Sequence, residues 1–138
     1  VLSRIIFGYV SDIIGPLKTL LIGSTLQMIT LILFIPFNNL TGLYIVSILF
    51  GLSQGGIVPS YALIVKKYLP SKDAAERIGL IIFFTIIGMS IGGWMSGKIY
   101  DFTNSYTLGF LNSIIWNLIN VMIIFYIFIK FKRSKTSI

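Results

Sequence analysis

The chain has 138 residues, of which 56% are hydrophobic and only 11% charged, with a mean hydropathy of +0.94; a soluble domain of this length carries roughly twice that charged fraction. It contains no cysteine and no histidine, which excludes disulfide frameworks, thiol nucleophiles, imidazole bases and the usual metal sites, and with them most hydrolase and metalloenzyme chemistry. The formal charge of +7 does not point to nucleic acid, because the basic residues sit between long apolar runs; a lipid bilayer is the expected partner.

The first residues, Val1 to Phe7, read as the end of a helix already under way, a partial span over residues 1–11, and suggest a C-terminal fragment. They lack the arrangement of a cleaved secretory signal. Crossing the hydrocarbon core takes about 20 apolar residues, and four such runs follow, over approximately 18–37, 41–65, 74–97 and 107–129. The breaks are Pro36-Phe37-Asn38-Asn39, then Lys66 to Asp73, then Tyr100 to Ser105, and a basic tail occupies 130–138. Helices keep every backbone group bonded in lipid without a closed sheet, and the short alternating segments of a transmembrane barrel are absent. The expected fold class is therefore an all-α membrane protein.

Short cytoplasmic loops carry the positive excess of a membrane protein. Of the eleven basic residues, all but Lys98 fit one topology: Arg4 and Lys18 flank the first break, Lys66, Lys67, Lys72 and Arg77 crowd the third, and Lys130, Lys132, Arg133 and Lys135 form the tail. The C-terminus is expected to be cytoplasmic, with the tail serving as a topology signal. Asn39-Leu40-Thr41 matches a glycosylation pattern by chance.

Between the partial span and the first complete one lies Gly8-Tyr9-Val10-Ser11-Asp12-Ile13-Ile14-Gly15-Pro16-Leu17-Lys18. Gly8 permits close helix approach, Gly15 and Pro16 turn the chain, and Asp12 can accept hydrogen bonds or pair with a base. The spacing of Gly8, Asp12, Gly15 and Lys18 resembles the G-x-x-x-D-x-x-G-x-x-[KR] loop signature of the major facilitator superfamily, in which this loop latches one access state. Ile13 and Pro16 stand where the family usually has bases, so the charge network is expected to be weaker. Further on, the run from Gly92 to Tyr106 resembles the G-G-x-x-x-G-x-[IL]-Y-D-x-[TS]-G-S-Y pattern between the last two helices of bacterial carriers of that family. Asn104 replaces a glycine there, which a left-handed turn tolerates. The resemblance covers the whole chain and implies the end of the eighth helix and all of the ninth to twelfth of a twelve-helix fold.

Small residues recur every four positions, at Ser47, Gly51, Gly55 and Pro59 in one span and at Gly88, Gly92 and Ser96, with Gly93 and Gly97, in the next. Such faces let helix backbones meet in lipid, either as static packing or as moving contacts. Pro59, after Gly55-Gly56, frees a carbonyl inside the membrane and permits a bend of the kind carriers use when their halves rock.

Arg4 lies eight residues before Asp12, about 12 Å along a helix, so it falls inside the bilayer, where an unpaired guanidinium is costly and marks a functional site. The arrangement of Arg4, Gly8 and Asp12 resembles the eighth helix of the monocarboxylate and oxalate/formate branch, which implies an arginine facing the cavity and holding a carboxylate. A structural ion pair, or snorkelling to the interface, are the alternatives. Ser53, Gln54, Ser60 and Tyr61 are the polar groups of the second complete span, which the resemblance places at the cavity. Gln54 and Tyr61 share a helix face; with Arg4 and Ser53 they are the expected substrate-binding set. Gln27 and the Asn112-Trp116-Asn120 stripe lie on spans implied to be peripheral and read as helix–helix contacts. Asp73 and Glu76 resemble a capping box.

The four acids, Asp12, Asp73, Glu76 and Asp101, all fall in loops or at helix ends, so proton coupling would need helices outside this segment. No enzyme activity, metal or cofactor is expected. The expectation is a secondary transporter of small organic anions, mono- or dicarboxylates, working by alternating access in a bacterial inner membrane, with the N-terminal half of the same chain and a coupling proton or counter-anion as partners. A major facilitator carrier of another solute, or a four-helix membrane adaptor without transport, are the alternatives.

Overall fold

The computed structural model describes residues 2–37 and 39–136; the side chains of Leu2, Ser71 and residues 132–136 also lie outside the described set. Six α-helices follow in order: α1 Leu2–Ile14, α2 Pro16–Leu33, α3 Leu40–Gln54, α4 Ile57–Tyr68, α5 Ala74–Thr103 and α6 Tyr106–Thr136, with a 3-10 turn at Ser71–Asp73 before α5. Four stretches are long and apolar enough to cross a membrane: Pro16–Leu33, Leu40–Tyr68, which joins α3 and α4, Ala74–Thr103 and Tyr106–Phe131. The expected tail at 130–138 continues α6 as far as Thr136; the side chains of Lys132, Arg133 and Lys135, and residues 137 and 138 entirely, lie outside the described residues.

α2 is the hub, packing against α1, α3, α4 and α6, while α5 packs chiefly against α6 and α4. One buried cluster, Leu17 and Leu20 of α2, Ile57 of α4 and Ile124 of α6, sits toward the end of the bundle where α1 turns into α2. Tyr61, Ile64, Tyr68 and Phe128 pack around it. Aromatic pairs clamp both ends. Phe34, just past α2, stacks on Phe110 of α6 at 4.9 Å, and at the opposite end Tyr68 meets Phe131 at 4.8 Å. α5 has no buried residue along its thirty positions, and Phe83, Phe84, Trp94 and Phe102 all point outward. A helix that is apolar all round and exposed suits lipid or another helix, not water.

The helix ends follow from local chemistry. Gly15 adopts φ 92, ψ 151 between α1 and α2, a region in essence open only to glycine. Pro16 then opens α2 at the position where a missing N–H costs nothing. The break expected over Tyr100–Ser105 is shorter than its polar sequence suggests: α5 continues through Thr103 and stops because Asn104 turns left-handed at φ 50, ψ 27, its N–H bonding the Tyr100 carbonyl at 2.7 Å. Tyr100 and Tyr106 stack across this corner with ring centres 4.3 Å apart. The expected capping box at α5 does not form. Asp73 is the N-cap residue but makes no side-chain cap; its carboxylate lies 3.7 Å from the Arg77 guanidinium instead.

The second complete span is interrupted. α3 ends at Gln54, Gly55 and Gly56 carry helix-like angles out of register, and α4 starts at Ile57. Pro59 is the third residue of α4, so its missing donor falls in a first turn where N–H groups have no intrahelical acceptor.

Candidate functional site

The interruption is where α1 docks. A Cβ on Gly56 would run into the Phe7 ring, and one on Gly55 into the Ser3 side chain, with the Arg4 backbone nitrogen 3.4 Å away. Both glycines are required by space, not by a left-handed backbone. Ser3 is buried and donates its hydroxyl hydrogen bond to the Leu52 carbonyl, one of the acceptors near the end of α3. Ser53 returns its hydroxyl to the Phe50 carbonyl at 2.7 Å, and Ser60 donates to the Gly56 carbonyl at 2.6 Å. Three serines thus serve backbone acceptors around a broken helix.

Arg4 follows Ser3 directly. Its side chain is exposed and makes no ion pair among the described residues. The other expected substrate residues are differently placed. The Ser53 hydroxyl is spent on Phe50, and Tyr61 packs against the buried cluster of Leu17, Leu20, Ile57 and Ile124. Gln54 accepts a hydrogen bond of 2.7 Å from Nε2 of Gln27 on α2. Its own Nε2 remains without a partner among the described residues, half-buried at the edge of the break. The Arg4 backbone thus abuts Gly55 with its side chain exposed, and Gln54, the residue before Gly55, keeps its amide hydrogens free among the described residues, whereas the Ser53 hydroxyl is spent on its own helix and Tyr61 packs inward.

Gln27 sits in the middle of a chain of amides. Its Oε1 accepts from Nδ2 of Asn117 on α6 at 3.0 Å, so Asn117, Gln27 and Gln54 link α6, α2 and α3. One turn along, Asn120 Nδ2 reaches Ser24 Oγ at 3.4 Å. Oδ1 of Asn117 is buried without a partner. Of the Asn112-Trp116-Asn120 stripe, Asn120 reaches α2 and is joined there by Asn117, whereas Trp116 is exposed. Two polar pairs spaced three apart, Ser24/Gln27 and Asn117/Asn120, are the sequence signal that finds this contact.

In the α1–α2 corner, Gly8 has no neighbour within 4 Å of where its Cβ would be, while Gly15 makes the turn. Asp12 and Lys18 are exposed, and the bases that share a pocket with Asp12 are Lys66 and Lys67 of α4, not Lys18. The glycines expected to form packing faces divide sharply. Gly55 is in tight contact with α1, whereas Gly51, Gly88, Gly92, Gly93 and Gly97 have open space over the missing Cβ among the described residues. On α5, Gly88, Gly92 and Gly93 are open to the outside, whereas Ser96 and Gly97 line a cleft with Gly109 and Phe110 of α6. No group of three or more carboxylate, histidine or cysteine side chains able to hold a metal occurs among the described residues.

The chain matches the Major Facilitator Superfamily over residues 1–138. It is 24% identical over 111 residues to monocarboxylate transporter 13 of Rattus norvegicus, an overlap that covers 79% of this chain and 26% of that protein. The chain thus spans about a quarter of the length of the curated relative it matches. No solved structure matches it. With four apolar stretches of spanning length and a family match from its first residue to its last, the chain is an all-helical, multi-pass membrane protein and belongs to the major facilitator superfamily.

Proposed function

We propose that the chain is the C-terminal part of a secondary carrier that moves small monocarboxylates across a membrane by alternating access. The observation that carries this reading is Arg4: an exposed arginine whose backbone abuts the break in a membrane helix, with no carboxylate within ion-pair distance among the described residues. A charge kept inside a bilayer without a partner needs a compensating anion, and the planar fork of arginine suits a carboxylate through two parallel bonds. The free amide N–H groups of Gln54 would supply neutral donors to the same anion. The resemblance to a protein named a monocarboxylate transporter supports that class of solute.

In this reading α1, α2, α3 with α4, α5 and α6 are the eighth to twelfth helices of the carrier. The outward glycine stripe of α5 then meets the N-terminal half, and the loop of Gly8, Asp12, Gly15 and Lys18 works as a latch. The distribution of basic residues supports a cytoplasmic C-terminus, and the likeness of the Gly92–Tyr106 run to the pattern of bacterial carriers supports a bacterial plasma membrane. Coupling to a proton would use helices outside this segment, since its four acids fall in loops or at helix ends. The test is uptake by the intact carrier in proteoliposomes with a panel of labelled solutes. Saturable uptake of lactate, pyruvate or formate is expected, and uptake confined to sugars or cations contradicts the reading.

A further inference from the structure

An open pocket of about 260 Å³ lies at the α1–α2 corner, lined by Ser11, Asp12, Pro16, Leu63, Lys66 and Lys67. It is away from the Gly55–Gly56 notch, at the end of the bundle where α1 and α4 finish and α2 begins. We propose that this pocket binds the phosphate of an anionic phospholipid headgroup.

Four observations converge on it. Lys67 folds over the corner, with Nζ 3.5 Å from where a Cβ on Gly15 would stand, and Lys66 lines the same wall. The carbonyl end of α1, which carries negative partial charge, draws the Lys67 ammonium there. α2 starts at Pro16 on the pocket wall, with no side chain capping its first turn, so its positive end remains free for an anion. The independent sign is Ser11. It is only 4% exposed, yet its buried Oγ has no hydrogen-bond partner. Many hydroxyls in these helices return to the carbonyl four residues back, as Thr19 does to Gly15 at 3.0 Å, Thr25 to Leu21 at 2.8 Å and Ser60 to Gly56, and Ser53 returns to Phe50 three back. Ser11 withholds that bond and lines the pocket. A buried hydroxyl left without a partner forfeits its solvation, and a turn of the Ser11 side chain about χ1 toward the pocket would let it donate to an oxyanion there.

Charge sets the kind of phosphate. Lys66 and Lys67 against Asp12 leave the lining with one net positive charge. A phosphodiester carries a single negative charge and neutralises it, whereas a dianionic free phosphate would meet the Asp12 carboxylate with charge in excess. The pocket also belongs to the end of the bundle where basic residues concentrate, which is where anionic headgroups gather.

The test is native mass spectrometry of the intact carrier, stripped of lipid and titrated separately with phosphatidylglycerol, phosphatidylcholine and inorganic phosphate. One phosphatidylglycerol adduct should saturate before any phosphatidylcholine adduct. Lys66→Gln and Lys67→Gln should each weaken it about five-fold, the effect of one basic group near a charged surface, while Lys67→Arg retains it. Ser11→Ala should weaken it about three-fold through the lost hydrogen bond. Asp12→Asn should tighten it, a change of sign that a purely structural role for the corner does not produce. A phosphatidylglycerol adduct indifferent to all of these substitutions overturns the site. Inorganic phosphate binding with the same sensitivities, and no preference for phosphatidylglycerol, overturns the lipid assignment in favour of a soluble phosphate.

Discussion

Gln27 Nε2 donates to Gln54 Oε1 at 2.7 Å, tying the middle of α2 to the last residue of α3 at the point where the membrane helix breaks. The bond places the Gln54 amide plane beside the notch that α1 fills. Because Gln27 also accepts from Asn117 on α6, three helices are held in register by one side chain. Within lipid, where burying apolar surface gives helices little reason to associate, such bonds and close packing do most of the work.

Replacing Gln27 with leucine should therefore destabilise the bundle. The loss is expected at about 1–2 kcal/mol, since interhelical hydrogen bonds in membranes average below one each and two are removed here. Steric-trapping or denaturant unfolding in mixed micelles reads it. In a double-mutant cycle, Gln27→Leu and Asn117→Leu should be less than additive; full additivity would show that the amide chain is not a unit.

Gly56→Ala places a methyl group into the Phe7 ring. Overpacking of this kind costs about 1–3 kcal/mol, and a lowered melting temperature in detergent is expected. Phe7→Ala in the same chain should recover part of that loss by vacating the space, although it is itself destabilising. No recovery would contradict the docking of α1 on the break.

At the α1–α2 corner, Gly15→Ala forces a side chain into a backbone region that non-glycine residues avoid, for about 1–3 kcal/mol. Asn104 is the contrasting case. Its left-handed angles of φ 50 and ψ 27 suit glycine equally, so Asn104→Gly should leave thermal stability nearly unchanged, whereas Asn104→Val should lower it by about 1–2 kcal/mol. Equal behaviour of the two Asn104 variants would argue against a left-handed cap at the end of α5.

The spans are legible in the sequence because the length of an apolar run reports bilayer thickness directly. Their interruptions are less so. The run from Thr41 to Val65 is apolar on both sides of Gly55-Gly56, and what distinguishes these glycines from Gly51 is the presence of Ser3 and Phe7 from about fifty positions earlier, a contact with no local signature. The polar run at Tyr100–Thr103 reads as a loop by composition, yet helical backbone bonding continues until Asn104 changes hand. Among the candidate site residues, Arg4 is legible because a lone charge in an apolar run is rare. Ser53, Gln54 and Tyr61 look alike in sequence, and only packing separates a hydroxyl turned back on its own helix from an amide bonded to the neighbouring helix. Asn117 is hidden because it stands outside the regular spacing of Asn112, Trp116 and Asn120, although it shares the contact with α2 that Asn120 makes.

The central claim is that Arg4 holds a carboxylate. Counterflow exchange of a labelled monocarboxylate by the intact carrier, wild type against Arg4→Lys, tests it most directly, with melting temperature and detergent monodispersity measured on the same preparations. A loss of about ten-fold or more in exchange at unchanged stability is predicted, because an ammonium keeps the charge but not the two-bond fork. Exchange at the wild-type rate and affinity in Arg4→Lys would contradict the account.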